Sequence, residues 1–225
     1  MRIVVPAGAA AMVAAAAAGR TADGADVIAV AVAVLASGAV LMPWIGEAWI
    51  DGSAYGPERR LPLRPPVLVA VLLAPLTWLV VVVGVAAGPL LLAAERWVPG
   101  VAALIVGWLA AVIGVRSLHQ LSRRFVVLVA AGLVLHDPLV MPEPQLFLRR
   151  TIARLGPAPA DSTADDLTAG AAGLALELVL TELVELLLRR GRTMSETHPT
   201  TALLFTPSRP GHVLDAAGDR RVAVG

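Results

Sequence analysis

Long uncharged stretches dominate the first half of the chain. They cover residues 3–19, 27–46, 67–94 and 97–115. A helix needs about 20 residues to cross a bilayer core about 30 Å thick, so the last three stretches are long enough. We therefore predict that residues 1–119 form a transmembrane region with about four helices. Their predicted bounds are 3–19, 27–46, 67–90 and 97–117.

The first and third stretches need further comment. Residues 3–19 are short and rich in alanine, and they end in small residues that resemble a signal-peptide cleavage site. They are therefore either a retained helix or a cleaved signal. The third stretch exceeds the length of one span, so we expect it to tilt or to end near Gly88-Pro89. Pro75 should kink this helix or be accommodated by a neighbour.

Arginine placement predicts the orientation. The segment between the second and third helices holds Arg59, Arg60 and Arg64. The segment after the fourth helix opens with Arg116, Arg123 and Arg124, whereas the alternate loops hold only Arg20 and Arg96. By the positive-inside rule, the amino terminus, the 47–66 loop and the carboxy-terminal half are cytoplasmic. The sequence thus predicts a multi-pass protein of the plasma membrane.

Composition supports a membrane location. Hydrophobic residues make up 57% of the 225 residues and charged residues 16%, whereas soluble domains average about 45–50% and about 25%. The chain has no cysteine and no asparagine, and all 18 basic residues are arginine, which indicates a GC-rich bacterial genome. A formal net charge of +1 gives no support for a partner that is a nucleic acid.

Short apolar segments separated by turn residues follow from residue 120 onwards. Residues 124–138 predict two strands with a turn at Ala131-Gly132, and residues 145–157 predict one further strand. Residues 201–207 predict another strand, and RVAVG at the end a short last one. Between these two, residues 208–219 predict a helix with Ser208 as its cap and Pro210 in its first turn. Residues 120–225 are therefore predicted to form a small β-rich domain.

Residues 173–190 allow two interpretations. Leucines at 174, 176, 178 and 180 alternate as in a strand, and a break at Thr181-Glu182 favours a β-hairpin. Glu177, Thr181, Glu185 and Arg189 are spaced by four, which would form a polar stripe on a helix. The short neighbouring strands favour the hairpin.

The carboxy-terminal half resembles a known bacterial domain. In the sequence, predicted membrane helices are followed by several short strands and then by LLFTPSRPGHVLDAA, in which Thr206–Pro210 starts a helix. This order resembles that of bacterial, in particular actinobacterial, integral membrane proteins with a pleckstrin-homology-like (PH-like) domain. The resemblance covers about residues 121–225. It implies an α+β protein in which a bent antiparallel sheet of about seven strands is closed by a carboxy-terminal helix. It brings no set of catalytic residues.

Motifs for catalysis are missing from the sequence. Without lysine there is no phosphate-binding P-loop and no Schiff base, and neither G-x-S-x-G nor H-E-x-x-H occurs. The four histidines, at 119, 136, 198 and 212, show no spacing typical of metal ligands. The uncharged stretches hold no ionisable group, which argues against a carrier acting alone. We expect a non-enzymatic protein without cofactor or metal.

Two sets of residues are candidates for binding. Arg123, Arg124, Arg149 and Arg150 are candidate contacts for anionic lipid headgroups. Gly84 and Gly88 form a G-x-x-x-G pattern that lets a helix approach closely, either within the bundle or in a homo-oligomer. The predicted function is a membrane-anchored module that binds lipid headgroups or a protein partner. The alternative is a transporter or channel subunit with a cytoplasmic regulatory domain.

Overall fold

The computed structural model describes residues 24–52, 54–191 and 194–225, with scattered positions before residue 14. The predicted helix at 3–19 lies outside these ranges, apart from the scattered positions. The chain folds into α-helices and antiparallel or mixed β-sheets, so the α+β class is confirmed. It divides into a helical unit from residues 1–46 and 71–120 and a β unit from residues 47–70 and 121–225.

In the part of the chain that the structure describes from residue 24 onwards, four α-helices precede the main group of strands. A break at Met42 separates the first two, and a π-helical turn at Val69–Leu73 leads into the third. Pro75 lies in the first turn of that third helix, where its missing N–H costs no intrahelical hydrogen bond. The bounds are α1 Gly24–Leu41, α2 Pro43–Asp51, α3 Ala74–Ala93 and α4 Trp97–Ser122.

Two helical segments in the described part of the chain are long and apolar enough to cross a membrane. They are Val69–Ala93 and Trp97–Ser122. A third span results if Val27–Val40 and Trp44–Asp51, which are bent by 59°, count as one. Of the two alternatives for the third stretch, an end near Gly88-Pro89 is wrong, because α3 continues through Pro89 to Ala93. A tilt of the long helix is the alternative that remains a prediction.

Glycines bring α3 and α4 into close contact. A Cβ added at Gly84 would lie 2.5 Å from the carbonyl oxygen of Gly107, and one at Gly88 would lie 2.6 Å from the Cα of Leu104. Only glycine permits backbones to approach this closely. Both candidate packing residues, Gly84 and Gly88, therefore contact α4 of the same chain, in an antiparallel helix pair.

The β unit contains two four-stranded sheets. The first sheet consists of β1 Arg59–Pro62, β2 Phe125–Val129, β3 Gly132–His136 and β4 Gln145–Leu148. The second consists of β5 Ile152–Pro157, β6 Asp165–Asp166, β7 Leu176–Arg190 and β8 Met194–Phe205, and α5 at the carboxy-terminal end covers Pro210–Asp219. The strand order is β1-β2-β3-β4 in the first sheet and β5-β7-β8-β6 in the second.

Strand register places large apolar side chains on the inner faces of both sheets. In the first sheet Val126 pairs with Leu61 on one side and with Leu135 on the other. In the second sheet Leu178 pairs with Leu155 and Leu203. All six side chains are buried, and Val213, Ala216 and Ala217 of α5 join the same core. Burial of this continuous core drives the folding of the β unit.

Several strand predictions need correction. Residues 173–190 form neither a hairpin nor a helix: β7 is one long strand that pairs with β8, and its register is irregular between Val179 and Val184. The predicted single strand at 145–157 is divided by a 3-10 turn at Arg149–Thr151 into β4 and β5 of different sheets. The hairpin across Ala131-Gly132 is confirmed.

The ends of the β unit also differ from the prediction. Strand β1 comes from the loop between the second and third predicted helices, where no strand was expected. Helix α5 is confirmed, but Arg209 rather than Ser208 precedes it and no side chain caps it. The last residues form a single parallel bridge between Leu155 and Val224 instead of a strand.

Candidate functional site

Arg123 and Arg124 follow the end of α4, yet their side chains have different surroundings. Arg123 is exposed, whereas Arg124 is 2% exposed. The guanidinium of Arg124 donates two hydrogen bonds to the carboxylate of Asp137, from Nε at 2.8 Å and from NH2 at 2.5 Å. Its NH1 donates to the carbonyl of Arg64 at 2.6 Å. Arg124 is therefore a buried residue, and its side chain is not available for the predicted contact with lipid headgroups.

The pair of Arg124 and Asp137 connects three segments of the β unit. Asp137 also accepts a hydrogen bond from the backbone N–H of Leu139, and the carbonyl of Arg124 accepts one from the N–H of Leu63. A buried ion pair offsets its desolvation cost only when its hydrogen bonds are satisfied, as they are here. This pair holds the segment that leads from β1 toward α3 against the segment that leads from α4 into β2.

Arg149 and Arg150 lie at the other end of the first sheet. Both are exposed, and the backbone N–H of Arg149 donates to the carbonyl of Ala131 in the β2–β3 turn. Arg123 lies beyond the opposite end of β2, about 13 Å or more away along the strand at about 3.3 Å per residue. The structure therefore does not bring the predicted arginines together in one patch.

A polar cluster that was not among the predicted sites surrounds Glu47 on α2. Glu47 is 7% exposed. Its carboxylate accepts hydrogen bonds from NH1 of Arg209 at 3.0 Å and from Nδ1 of His212 at 2.5 Å. Nε2 of His212 lies 2.6 Å from NH2 of Arg59 on β1. The Glu47 cluster, which consists of these four residues, thus joins α2, β1 and the start of α5.

Hydrogen-bond chemistry assigns the roles of the two ring nitrogens of His212 in this cluster. A guanidinium has only donors, so Nε2 of His212 is the acceptor toward Arg59. Nδ1 is then the donor toward Glu47. Both ring nitrogens are occupied, so His212 has no free nitrogen that could take a proton from a substrate. The cluster is suited to holding elements together.

The sequence did contain one signal for the Glu47 cluster. Glu47 lies between Trp44 and Trp49, at the end of an otherwise uncharged stretch. A carboxylate beside aromatic residues on a short helix must either reach water or find a cationic partner. The partners Arg209 and His212 are more than 160 positions away, so the sequence could not identify them.

The remaining histidines lie in separate surroundings. The ring of His136 stacks on that of Phe125, with centroids 4.8 Å apart. Burial lowers the pKa of His136, and the guanidiniums of Arg123 and Arg60 lower this pKa further, against an opposing effect of the Asp137 carboxylate. His198 contacts Asp165 at 2.9 Å. In the described parts of the chain, no group of three or more metal-binding side chains comes together.

A third polar contact lies on the second sheet. Glu177 on β7 accepts hydrogen bonds from Arg154 on β5 and from the hydroxyl of Ser162 at 2.5 Å. Glu177 is buried, and Arg154 is partly exposed. This contact fixes the loop that contains Ser162 to the sheet.

Comparison of the chain with protein-family models, with curated proteins and with solved structures finds no match. Function must therefore be argued from the geometry of the two units.

Proposed function

We propose that the chain is a multi-pass plasma-membrane protein whose PH-like β unit is held at the cytoplasmic face and binds anionic lipid headgroups there. One observation carries the proposal. Residues 63–68 join β1 to the apolar segment Val69–Ala93, and residues 123–124 join α4 to β2. Because Pro62 pairs with Phe125, both apolar helices connect to the same end of the β1–β2 pair.

This connectivity explains the buried Arg124. Two antiparallel spans that return to one side of a membrane bring their ends close together, and the Arg124–Asp137 pair joins the two connecting segments there. Together with the link after Gly46, the chain thereby connects the β unit to the helical unit three times. The two links that come from the apolar helices enter at the β1–β2 end of the unit, which is the end we propose to lie near the headgroups.

Arginines at this end are the proposed headgroup contacts. Arg64 and Arg123 are exposed, and each lies within a few residues of an apolar helix. A basic residue near an anionic membrane surface contributes about 1 kcal/mol, which corresponds to about a fivefold change in lipid occupancy. Arg149 and Arg150 lie at the opposite end of the sheet and are not part of this proposed surface.

Lipid retained by the purified protein tests the headgroup proposal. The full chain is extracted from vesicles of phosphatidylcholine and phosphatidylglycerol, and the retained lipid is quantified by mass spectrometry. We expect an excess of phosphatidylglycerol that falls about fivefold or more for the double variant Arg64→Gln/Arg123→Gln. The matched control is Arg149→Gln/Arg150→Gln, which should retain the excess. If the control loses it instead, the proposed face of the β unit is wrong.

Sidedness requires a second experiment. Because the chain has no cysteine, Arg96→Cys and Glu143→Cys each introduce a single thiol at an exposed position. Arg96 lies between the two apolar helices and Glu143 in the β unit. In intact cells, a membrane-impermeant maleimide should label Arg96→Cys and should label Glu143→Cys only after lysis. The reverse pattern would place the β unit outside the cell.

A further inference from the structure

Helix α2 has its polar and apolar faces reversed relative to a helix on a water-soluble protein. Such a helix normally turns its apolar face to the core and its charges to the solvent. On α2, Trp44 and Trp49 are 60% and 66% exposed, whereas Glu47 is 7% exposed. Ala48, between the two tryptophans in angle around the helix, is also exposed. The outward face of α2 is therefore apolar and aromatic.

The inward face of α2 is fixed by hydrogen bonds. Glu47 binds Arg209 and His212 of α5, and Asp51, one turn later, accepts a hydrogen bond from the backbone N–H of Arg60 at 3.0 Å. Residues four apart share one face of a helix. Glu47 and Asp51 thus contact α5 and β1 at one edge of the exposed arc that runs from Trp44 through Ala48 to Trp49, which we call the tryptophan face. Both tryptophans on this arc stay more than half exposed.

The preceding helix indicates what covers the tryptophan face. Helix α1 has 18 residues, all apolar or small except one acid near its start, and at about 1.5 Å per residue it is about 27 Å long. This length is close to the thickness of a bilayer core of about 30 Å, so α1 would account for most of the crossing that the bent pair could make as one span. The axis then bends by 59° between Val27–Val40 and Trp44–Asp51. A short helix after such a bend emerges at headgroup depth.

We infer that α2 lies in the membrane–water interface, with Trp44, Ala48 and Trp49 facing the lipid and with Glu47 and Asp51 holding the helix to the β unit. Tryptophan is enriched at headgroup depth because its ring is apolar and its N–H needs a polar partner. Interfacial helices bury their apolar face about 5–10 Å into the boundary between headgroups and acyl chains. The inference rests on the proposed membrane anchoring and adds a third attachment of the β unit.

Nitroxide accessibility tests this placement. The full chain, with one introduced cysteine and a spin label, is reconstituted into vesicles of phosphatidylcholine with phosphatidylglycerol. Ala48→Cys reports on α2, Val106→Cys on the exposed face of α4, and Glu143→Cys on an exposed loop of the β unit. The accessibility of the spin label to oxygen and to a water-soluble nickel complex reports its depth in the membrane. We expect a depth of about 5–10 Å for Ala48→Cys, between the depths of the two controls.

The alternatives give different signals. Nickel accessibility at Ala48 equal to that at Glu143 would show a helix in water. Protection from both reagents would show a protein cover, either a second copy or another protein. A depth equal to that of Val106 would show a membrane-spanning helix. Each of these three results overturns the inference. An aqueous signal from Val106 itself would instead overturn the membrane anchoring on which the inference depends.

Removing the tryptophans of α2 provides a second test of this placement. With the label at Ala48→Cys, the double variant Trp44→Ala/Trp49→Ala should shift the depth toward the aqueous value of Glu143→Cys. Trp97→Ala, which removes an exposed tryptophan from α4, is the matched control and should leave the depth unchanged. An unchanged depth in the double variant would mean that the tryptophans do not hold α2 at the interface, which contradicts the inference.

Discussion

The buried pair of Arg124 and Asp137 makes the sharpest prediction at the scale of single residues. Asp137→Ala leaves a buried guanidinium without its anion, and this should cost about 3–5 kcal/mol of the free energy of unfolding of the β unit. Glu196→Ala, which removes the partner of the exposed Arg190, is the control and should cost less than about 1 kcal/mol. Denaturant unfolding of the detergent-solubilised chain measures both. Equal losses would contradict the central role of the buried pair.

Arg124 also shows what the sequence could and could not predict about the candidate site. Arg123 and Arg124 are adjacent, and both follow an apolar helix, so composition and position do not distinguish them. The difference arises because the N–H of Leu63 donates to the carbonyl of Arg124 and the carboxylate of Asp137 accepts hydrogen bonds from the Arg124 guanidinium. Burial of one arginine of a pair is decided by contacts between distant parts of the chain, which a single sequence does not contain.

His136 predicts a pH dependence of stability. Because its pKa is lowered in the folded protein, the unfolded chain binds more protons near the ordinary histidine pKa of 6.5. Stability therefore falls as the pH is lowered through about 6.5, and above it the contribution is zero. His136→Gln should remove this part of the pH dependence. The measurement is the difference in free energy of unfolding between the two proteins from about pH 7.5 to about pH 5.5. A difference that does not change with pH would contradict the prediction.

At the scale of elements, the glycine contact between α3 and α4 predicts an unequal response to alanine. Gly84→Ala places a Cβ 2.5 Å from the Gly107 carbonyl oxygen, so the helices must separate at a cost of about 1–3 kcal/mol. Gly38→Ala on α1 is the control: its added Cβ meets no atom within 4 Å, and better helix propensity should make it neutral or stabilising. Thermal unfolding in detergent measures both. Two equal effects would exclude close packing at Gly84.

Elements defined by local signals were the ones predicted well. Ala131-Gly132 between two apolar runs predicted β2 and β3, and Pro210 predicted the start of α5. Strand β7 was predicted incorrectly because Thr181-Glu182 looks like a turn, although in the structure it is an irregularity within one long strand. Strand β1 was missed because Arg59–Pro62 has little apolar pattern of its own. Its strand conformation depends on β2, more than 60 positions later.

At the scale of the whole molecule, two apolar helices are inserted into the chain segment that forms the β unit. Leu61 and Leu63, from the segment before those helices, are 2% and 6% exposed in the core that residues 121–225 complete. A fragment of residues 121–225 lacks both leucines and leaves β2 as an uncovered edge. Removing two buried leucine side chains costs several kcal/mol, which is comparable to the whole stability of a small domain.

A rejoined β unit tests this arrangement. The N–H of Leu63 donates to the carbonyl of Arg124 at 3.0 Å, so a short glycine–serine linker can replace the two apolar helices and join residues 47–66 to residues 121–225. We expect this fusion to show a β-rich circular dichroism spectrum and a cooperative unfolding transition, and the lone 121–225 fragment to show neither. The same fusion with Leu61→Asp should behave like the lone fragment, because a buried carboxylate without a partner prevents β1 from packing. If the lone fragment unfolded with the same midpoint as the fusion, β1 would not be part of the folding unit. Residues 121–225 would then be a complete domain, and the segment before the two helices would be an ordinary loop. The double anchoring of the β unit would lose its structural basis.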